Sequence, residues 1–197
     1  MNKRLTKIGI LSFGLLLGII FRSNAQSASA SRSNFTLGVG PEAGLPLGDF
    51  KDAFKWSLGG SVQADFAIVK KDLYVVVNAG FDNFFGKDNN FISADGKTTS
   101  SKDLRIIPAQ AGLKYYFPTT NLYIQGTAGA GFLTNKNDIE ADKSASFIYS
   151  PQIGYLFALA KKNYLDVGVK FQGNSKIYDA GKSYNYLGLR VAYNFGL

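Results

Sequence analysis

The chain has 197 residues, 46% hydrophobic and 18% charged, with 22 Lys plus Arg against 14 Asp plus Glu for a formal charge of +8. It holds no Cys and no His, which excludes a disulfide framework, thiolate chemistry, a Cys lipid anchor and the commonest general base and metal ligand. The length suits one domain, and +8 taken at face value points to nucleic acid or an anionic membrane.

The first element is an export signal. Lys3, Arg4 and Lys7 form a positive start, Ile8 to Phe21 is an apolar run, and Ser23-Asn24-Ala25 places small residues at positions −3 and −1 of a cleavage site. The run is about 14 residues, short of the roughly 20 that span a bilayer. Cleavage after Ala25 is expected, so residues 1–25 are the signal peptide. Residues 26–34 are a Ser/Ala-rich, flexible lead-in without periodicity, and 35–197 form one barrel domain. The signal carries Lys3, Arg4, Lys7 and Arg22 and no acid, which leaves 18 bases against 14 acids, a net +4. Half of the basicity is an export address.

From Phe35 onward the period is two. In Trp56 to Ile68, Trp56, Leu58, Gly60, Val62, Ala64, Phe66 and Ile68 share one face. Ser57, Gly59, Ser61, Gln63, Asp65 and Ala67 share the other. The same split predicts eight strands, over about 35–45, 56–68, 73–85, 104–117, 122–133, 147–158, 164–173 and 185–195. Their connections alternate in length. Pro46 to Lys55, Lys87 to Asp103, Asn135 to Ser146 and Lys176 to Ser183 are long and polar. Lys70-Lys71-Asp72, Pro118 to Asn121 and Ala160 to Asn163 are short. An even number of strands, with short turns at one end and long loops at the other, predicts an all-β fold: an eight-stranded antiparallel up-and-down transmembrane β-barrel.

A soluble barrel turns its apolar face inward and a membrane barrel turns it outward. The polar face carries Glu42, Asp65, Asp82, Lys114, Asp166, Lys170 and Arg190 with many glycines. Aromatics on the apolar face fall near the strand ends. Phe35, Phe66, Tyr115, Phe117, Tyr155, Phe157, Tyr193 and Phe195 lie toward the short turns, and Trp56, Phe81, Phe85, Phe132, Phe147, Tyr149 and Phe171 toward the long loops. Two aromatic girdles around an aliphatic band match a bilayer cross-section. The seven charges therefore face a lumen just wide enough for side chains. They form either a structural plug or a narrow polar conduit.

Five stretches stand out: Ser23 to Gln26, Pro46-Leu47-Gly48-Asp49-Phe50, Trp56 to Gly60, Leu104 to Pro108 leading to Gly112 to Phe117, and the closing Gly188 to Phe195. In these the chain resembles the small outer-membrane β-barrel proteins of Gram-negative bacteria, OmpA/OmpX-like in architecture and closest to the PorT-like barrel family. The resemblance implies an outer-membrane location and a porin-like barrel. Some members of that family belong to secretion machinery, and no residue here singles those members out. An outward aromatic in the last strand is the usual assembly signal, and here Phe195 is followed by Gly196 and Leu197.

Among function classes, a non-enzymatic barrel with a plugged lumen and external loops for structural or interaction roles fits best. A component of secretion machinery, or a narrow pore, is the alternative. Small barrel enzymes lean on a His, and this chain has none. The run Asn137 to Asp142 holds three acids but lacks EF-hand spacing, so no metal and no cofactor is expected. Nucleic acid is not expected either, because Lys70, Lys71, Lys161 and Lys162 lie in turns with no basic stripe. The glycines of Thr127 to Gly131 lie mid-strand and form no phosphate loop. The expected partner is outer-membrane lipid, with the protein a monomer and any protein partner unnamed by the sequence.

Overall fold

The structure is a computed structural model that describes residues 32–69, 72–87, 91–92, 98–99, 102–139, 141–160, 162–177 and 183–197. The expected signal peptide (residues 1–25), residues 26–31 of the expected lead-in, and Lys70, Lys71, Lys161 and Glu140 lie outside the described residues.

Eight long strands carry the fold: β1 (Phe35–Leu47), β2 (Phe54–Val69), β3 (Leu73–Gly86), β4 (Leu104–Tyr116), β5 (Leu122–Leu133), β6 (Ala145–Ala160), β7 (Asn163–Asn174) and β8 (Tyr184–Gly196). Each pairs antiparallel with its neighbour in sequence, and β1 pairs with β8 to close the barrel. The closing seam runs from Thr36 opposite Gly196 to Leu47 opposite Asn185. Closure leaves no unpaired sheet edge, as a hydrocarbon environment demands. The predicted strands all form, most of them extended by one or two residues.

One element was not predicted. A four-residue helix, α1 (Phe50–Ala53), sits inside the first long connection. The chain enters it through Gly48 at φ +57, a conformation that favours glycine. The connection after β3 holds a two-residue ribbon, Phe91–Ile92 paired with Thr98–Thr99.

Alternation fixes which side chains face where. Leu37, Val39, Leu45, Leu58, Val62, Val77, Leu113, Ile153 and Leu189 are exposed on the outer wall. Their neighbours on the opposite phase, such as Gln63, Asn78, Gln110, Gln125 and Gln152, are buried in the lumen. An apolar outside around a polar inside inverts the soluble arrangement and suits a bilayer. No helix among the described residues is long and apolar enough to cross a membrane; here the strands do so.

Residues 32–34 are more constrained than a free lead-in. Arg32 pairs with Asp72 at 2.9 Å, donates to the Thr120 carbonyl at 2.7 Å and lies 4.5 Å from the Tyr116 ring centroid. The Ser33 carbonyl accepts from the Tyr74 hydroxyl at 3.0 Å. These contacts tie the segment across the short-turn mouth.

Candidate functional site

The lumen is built in three layers. The middle one holds six of the seven predicted charges. Lys170 of β7 pairs with Glu42 of β1. Glu42 faces Arg190 of β8 at 3.5 Å, and the two residues are also direct partners across the closing seam. Arg190 reaches Asp166 of β7 at 3.3 Å. Asp166 lies 3.6 Å from Lys114 of β4, and Lys114 pairs with Asp65 of β2 at 2.7 Å. The order Lys170, Glu42, Arg190, Asp166, Lys114, Asp65 alternates in sign, so each charge has opposite neighbours and the six sum to zero.

Neutral groups complete the layer. Ser61 donates to Glu42 and accepts from Arg190 Nε at 3.0 Å. Gln63 donates to Asp65 at 2.8 Å, and Tyr123 donates to Asp166 at 2.6 Å. Lys114 is fully buried and its ammonium lies 4.6 Å from the Tyr123 ring centroid. Pairing and hydrogen bonding meet these buried charges, apart from Arg190 Nη2, which has no hydrogen-bond partner among the described residues.

Asp82 stands apart. It is buried, with the Tyr186 hydroxyl donating to it at 3.1 Å, and it belongs to none of the ion pairs among the described residues. The predicted seven-membered network is therefore six-membered. The reason is register: Asp82 sits opposite Gly59 and Ile106, on the long-loop side of the charged layer.

Beyond the charges, each end holds a cluster of buried apolar and aromatic side chains. Toward the short turns lie Tyr74, Tyr116, Tyr123, Leu156 and Tyr164, packed with Ala67. Tyr116 meets Tyr74 and Tyr123 edge to face at 5.5 and 5.4 Å. Gly154 makes room there, since a Cβ would overlap the Tyr123 phenol. Toward the long loops lie Phe84, Leu104, Ile106, Leu133, Ala141, Ile177, Tyr184 and Tyr186, with Phe50, Phe54 and Ile139 packed on them. Ile148, also lumenal, is buried.

These closing layers were missed in the sequence. The girdle aromatics were expected near strand ends on the lipid face, and strand phase set Tyr74, Tyr116, Tyr123 and Tyr186 on the polar face without foretelling their packing; six tyrosines and Phe84 point inward. The signal was their phase. Tyr116 is two residues from Lys114, and Tyr123 two from Gln125, so they share the polar face.

The predicted girdle residues stand on the outer wall. Trp56, Phe81, Phe132 and Phe147 are exposed toward the long loops, Tyr115, Tyr193 and Phe195 toward the short turns, and Phe117 and Phe157 are partly covered. They pair along the rim: Trp56 with Phe85, Tyr155 with Phe157 and Tyr193 with Phe195, each at 4.7 Å between centroids. Of the acid-rich loop, Asp138 and Asp142 fall among the described residues.

Comparisons with known proteins agree with this architecture. The family described as "Putative MetA-pathway of phenol degradation" matches residues 2–194. No curated protein sequence matches the chain. Neisserial surface protein A shares 12% identity and a TM-score of 0.58, over 85% of this chain and 99% of that one. The outer membrane protein AlkL, solved in lipid bilayers, shares 14% identity and a TM-score of 0.52, over 87% of this chain and 93% of that one. At such identities the likeness is one of fold. The chain belongs to the phenol-degradation family so described, and it is a small integral β-barrel of the outer membrane, with the lipid-facing wall that location requires. The PorT-like likeness of its motifs remains a resemblance.

Proposed function

We propose that this protein is a non-enzymatic, non-conducting barrel, a monomer in outer-membrane lipid, whose work is done at its long-loop end. The carrying observation is the unbroken alternating charge layer held between two closing layers. A lumen filled in this way supports the plug over the conduit. The acids of the charged layer are engaged with cations, and the chain has no His to act as base. Purified protein in a planar bilayer is expected to give no stable single-channel steps. Regular open-channel steps would overturn the sealed lumen.

A second reading is favoured by the aromatic character of the loop-end layer, where Phe50, Phe54, Phe84, Tyr184 and Tyr186 gather. The family's description names phenol degradation. We propose that the loop end meets small aromatic solutes and passes them on without a water-filled pore. Cells with and without the protein are compared for initial uptake of 1-naphthol, read by its fluorescence. Faster uptake with the protein is expected, and equal rates would remove this reading.

A further inference from the structure

Phe50 reaches the loop-end layer from α1, and its ring is boxed by other rings. Its centroid lies 4.7 Å from Phe54, 5.1 Å from Phe84 and 5.0 Å from Tyr184. Phe84 and Tyr184 belong to strands β3 and β8, which form the rigid wall. Phe50 belongs to a four-residue helix that buries none of its residues fully, and one helical turn has little stability of its own. The box is fixed while the ring inside it is held by a loop.

The box has a polar floor. Phe84 meets Tyr186 at 5.0 Å, and Tyr186 donates to Asp82, the acid left out of the ion-pair chain. Beside them is Ser57, opposite Phe84 in register and 1% exposed, whose hydroxyl has no hydrogen-bond partner among the described residues. A buried hydroxyl without a partner, near a carboxylate that makes no direct ion pair among the described residues, is costly unless something meets them.

We propose that Phe50 is a resident stand-in for a ligand, and that the box formed by Phe54, Phe84 and Tyr184 takes a single-ring aromatic molecule carrying one hydrogen-bond donor. The ligand's ring replaces that of Phe50, and its donor is met by Ser57 and Asp82. Rings favour edge-to-face or offset partners at these separations. A donor beside a carboxylate makes a charge-assisted bond, which separates hydroxylated from bare rings. This inference rests on the reading that the loop end meets aromatic solutes.

The test uses full-length folded protein in detergent micelles, titrated with 4-fluorophenol and with fluorobenzene and read by fluorine NMR. Removing the resident ring with Phe50→Ala removes the competition for the box. It should tighten 4-fluorophenol binding by about tenfold over wild type. Phe50→Trp, which overfills the box, should abolish the wild-type binding. It also keeps the test decisive if the alanine variant does not fold. In the Phe50→Ala background, Ser57→Ala with Asp82→Asn should erase most of the preference for 4-fluorophenol over fluorobenzene. Equal affinities in wild type, Phe50→Ala and Phe50→Trp would overturn the site, as would no preference between the two probes. Cellular uptake of 4-fluorophenol that persists unchanged in Phe50→Trp would remove the site and leave the uptake reading standing. Binding as described, without any uptake, would do the reverse.

Discussion

At the short-turn end the lumen is closed by side chains that grow from the strands. Tyr74, Tyr116, Tyr123 and Tyr164 belong to β3, β4, β5 and β7, and Tyr123 is bonded directly to Asp166 of the charged layer. At the long-loop end much of the closing layer arrives from the connections: Phe50 from α1, and Ile139, Ala141 and Ile177 from two later loops. The polar ties there include Tyr184 with Ser146, Tyr186 with Asp82, and Asp103 with Asn83 and Asn135. One seal shares the fate of the barrel wall, because it cannot leave unless strands part. The other depends in part on segments outside the wall. A single sheet thus carries a fixed end and a loop-dependent, adjustable end, and the difference lies in Phe50, Ile139, Ala141 and Ile177.

The comparison can be broken most severely from the middle. Lys114→Ala strands Asp65 beside Asp166 with one cation fewer, and removing one partner of a buried pair costs about 3–5 kcal/mol. The heat-dependent gel shift of the folded barrel should then be lost at a much lower urea concentration. Arg190→Ala, which unlinks Glu42 from Asp166, should act in the same direction. An unchanged gel shift in both variants would mean that the charged layer does not hold the wall together.

Next in size is Tyr123→Phe, which removes one hydroxyl from the fixed end. That hydroxyl donates to Asp166 and accepts from Gln152 at 2.7 Å. A hydrogen bond to a charged group contributes about 1.5–3 kcal/mol, so the urea midpoint should fall measurably while the barrel still folds. The smallest effect is expected at the adjustable end. Phe50→Ala trims a half-buried ring on a loop, and its cost to unfolding should be roughly 1 kcal/mol. If Phe50→Ala lowers the midpoint as far as Tyr123→Phe does, the loop-end seal is as integral as the other and the contrast fails.

Much of this molecule is legible in the residues. Period-two alternation reveals the strands, because a strand with one face in lipid and one in a polar lumen cannot be written otherwise. The lumen charges are legible for the same reason, since Glu42, Lys114 and Arg190 have no other place to go. The closing layers are harder, because an aromatic belongs equally well at a lipid headgroup or inside a lumen. Only the phase of Tyr116 or Tyr186 tells which, and residue type taken alone assigns it to the wrong wall. The helix at Phe50–Ala53 is too short to show a period, and its ring is placed by tertiary packing. The isolation of Asp82 depends on how far β3 is shifted against its neighbours, a quantity that no single strand contains.

The direct facing of Glu42 and Arg190 across the β1–β8 seam bears on how the barrel is finished. The first strand made and the last strand made carry opposite charges at one level. A slip of one residue would turn a charge toward lipid, at a cost of several kcal/mol near the midplane. A slip of two would set Glu42 against Gly188 or Ala192 and part Arg190 from one of its two acids. The seam therefore favours its own alignment, since a misregistered closure carries the cost of a displaced charge.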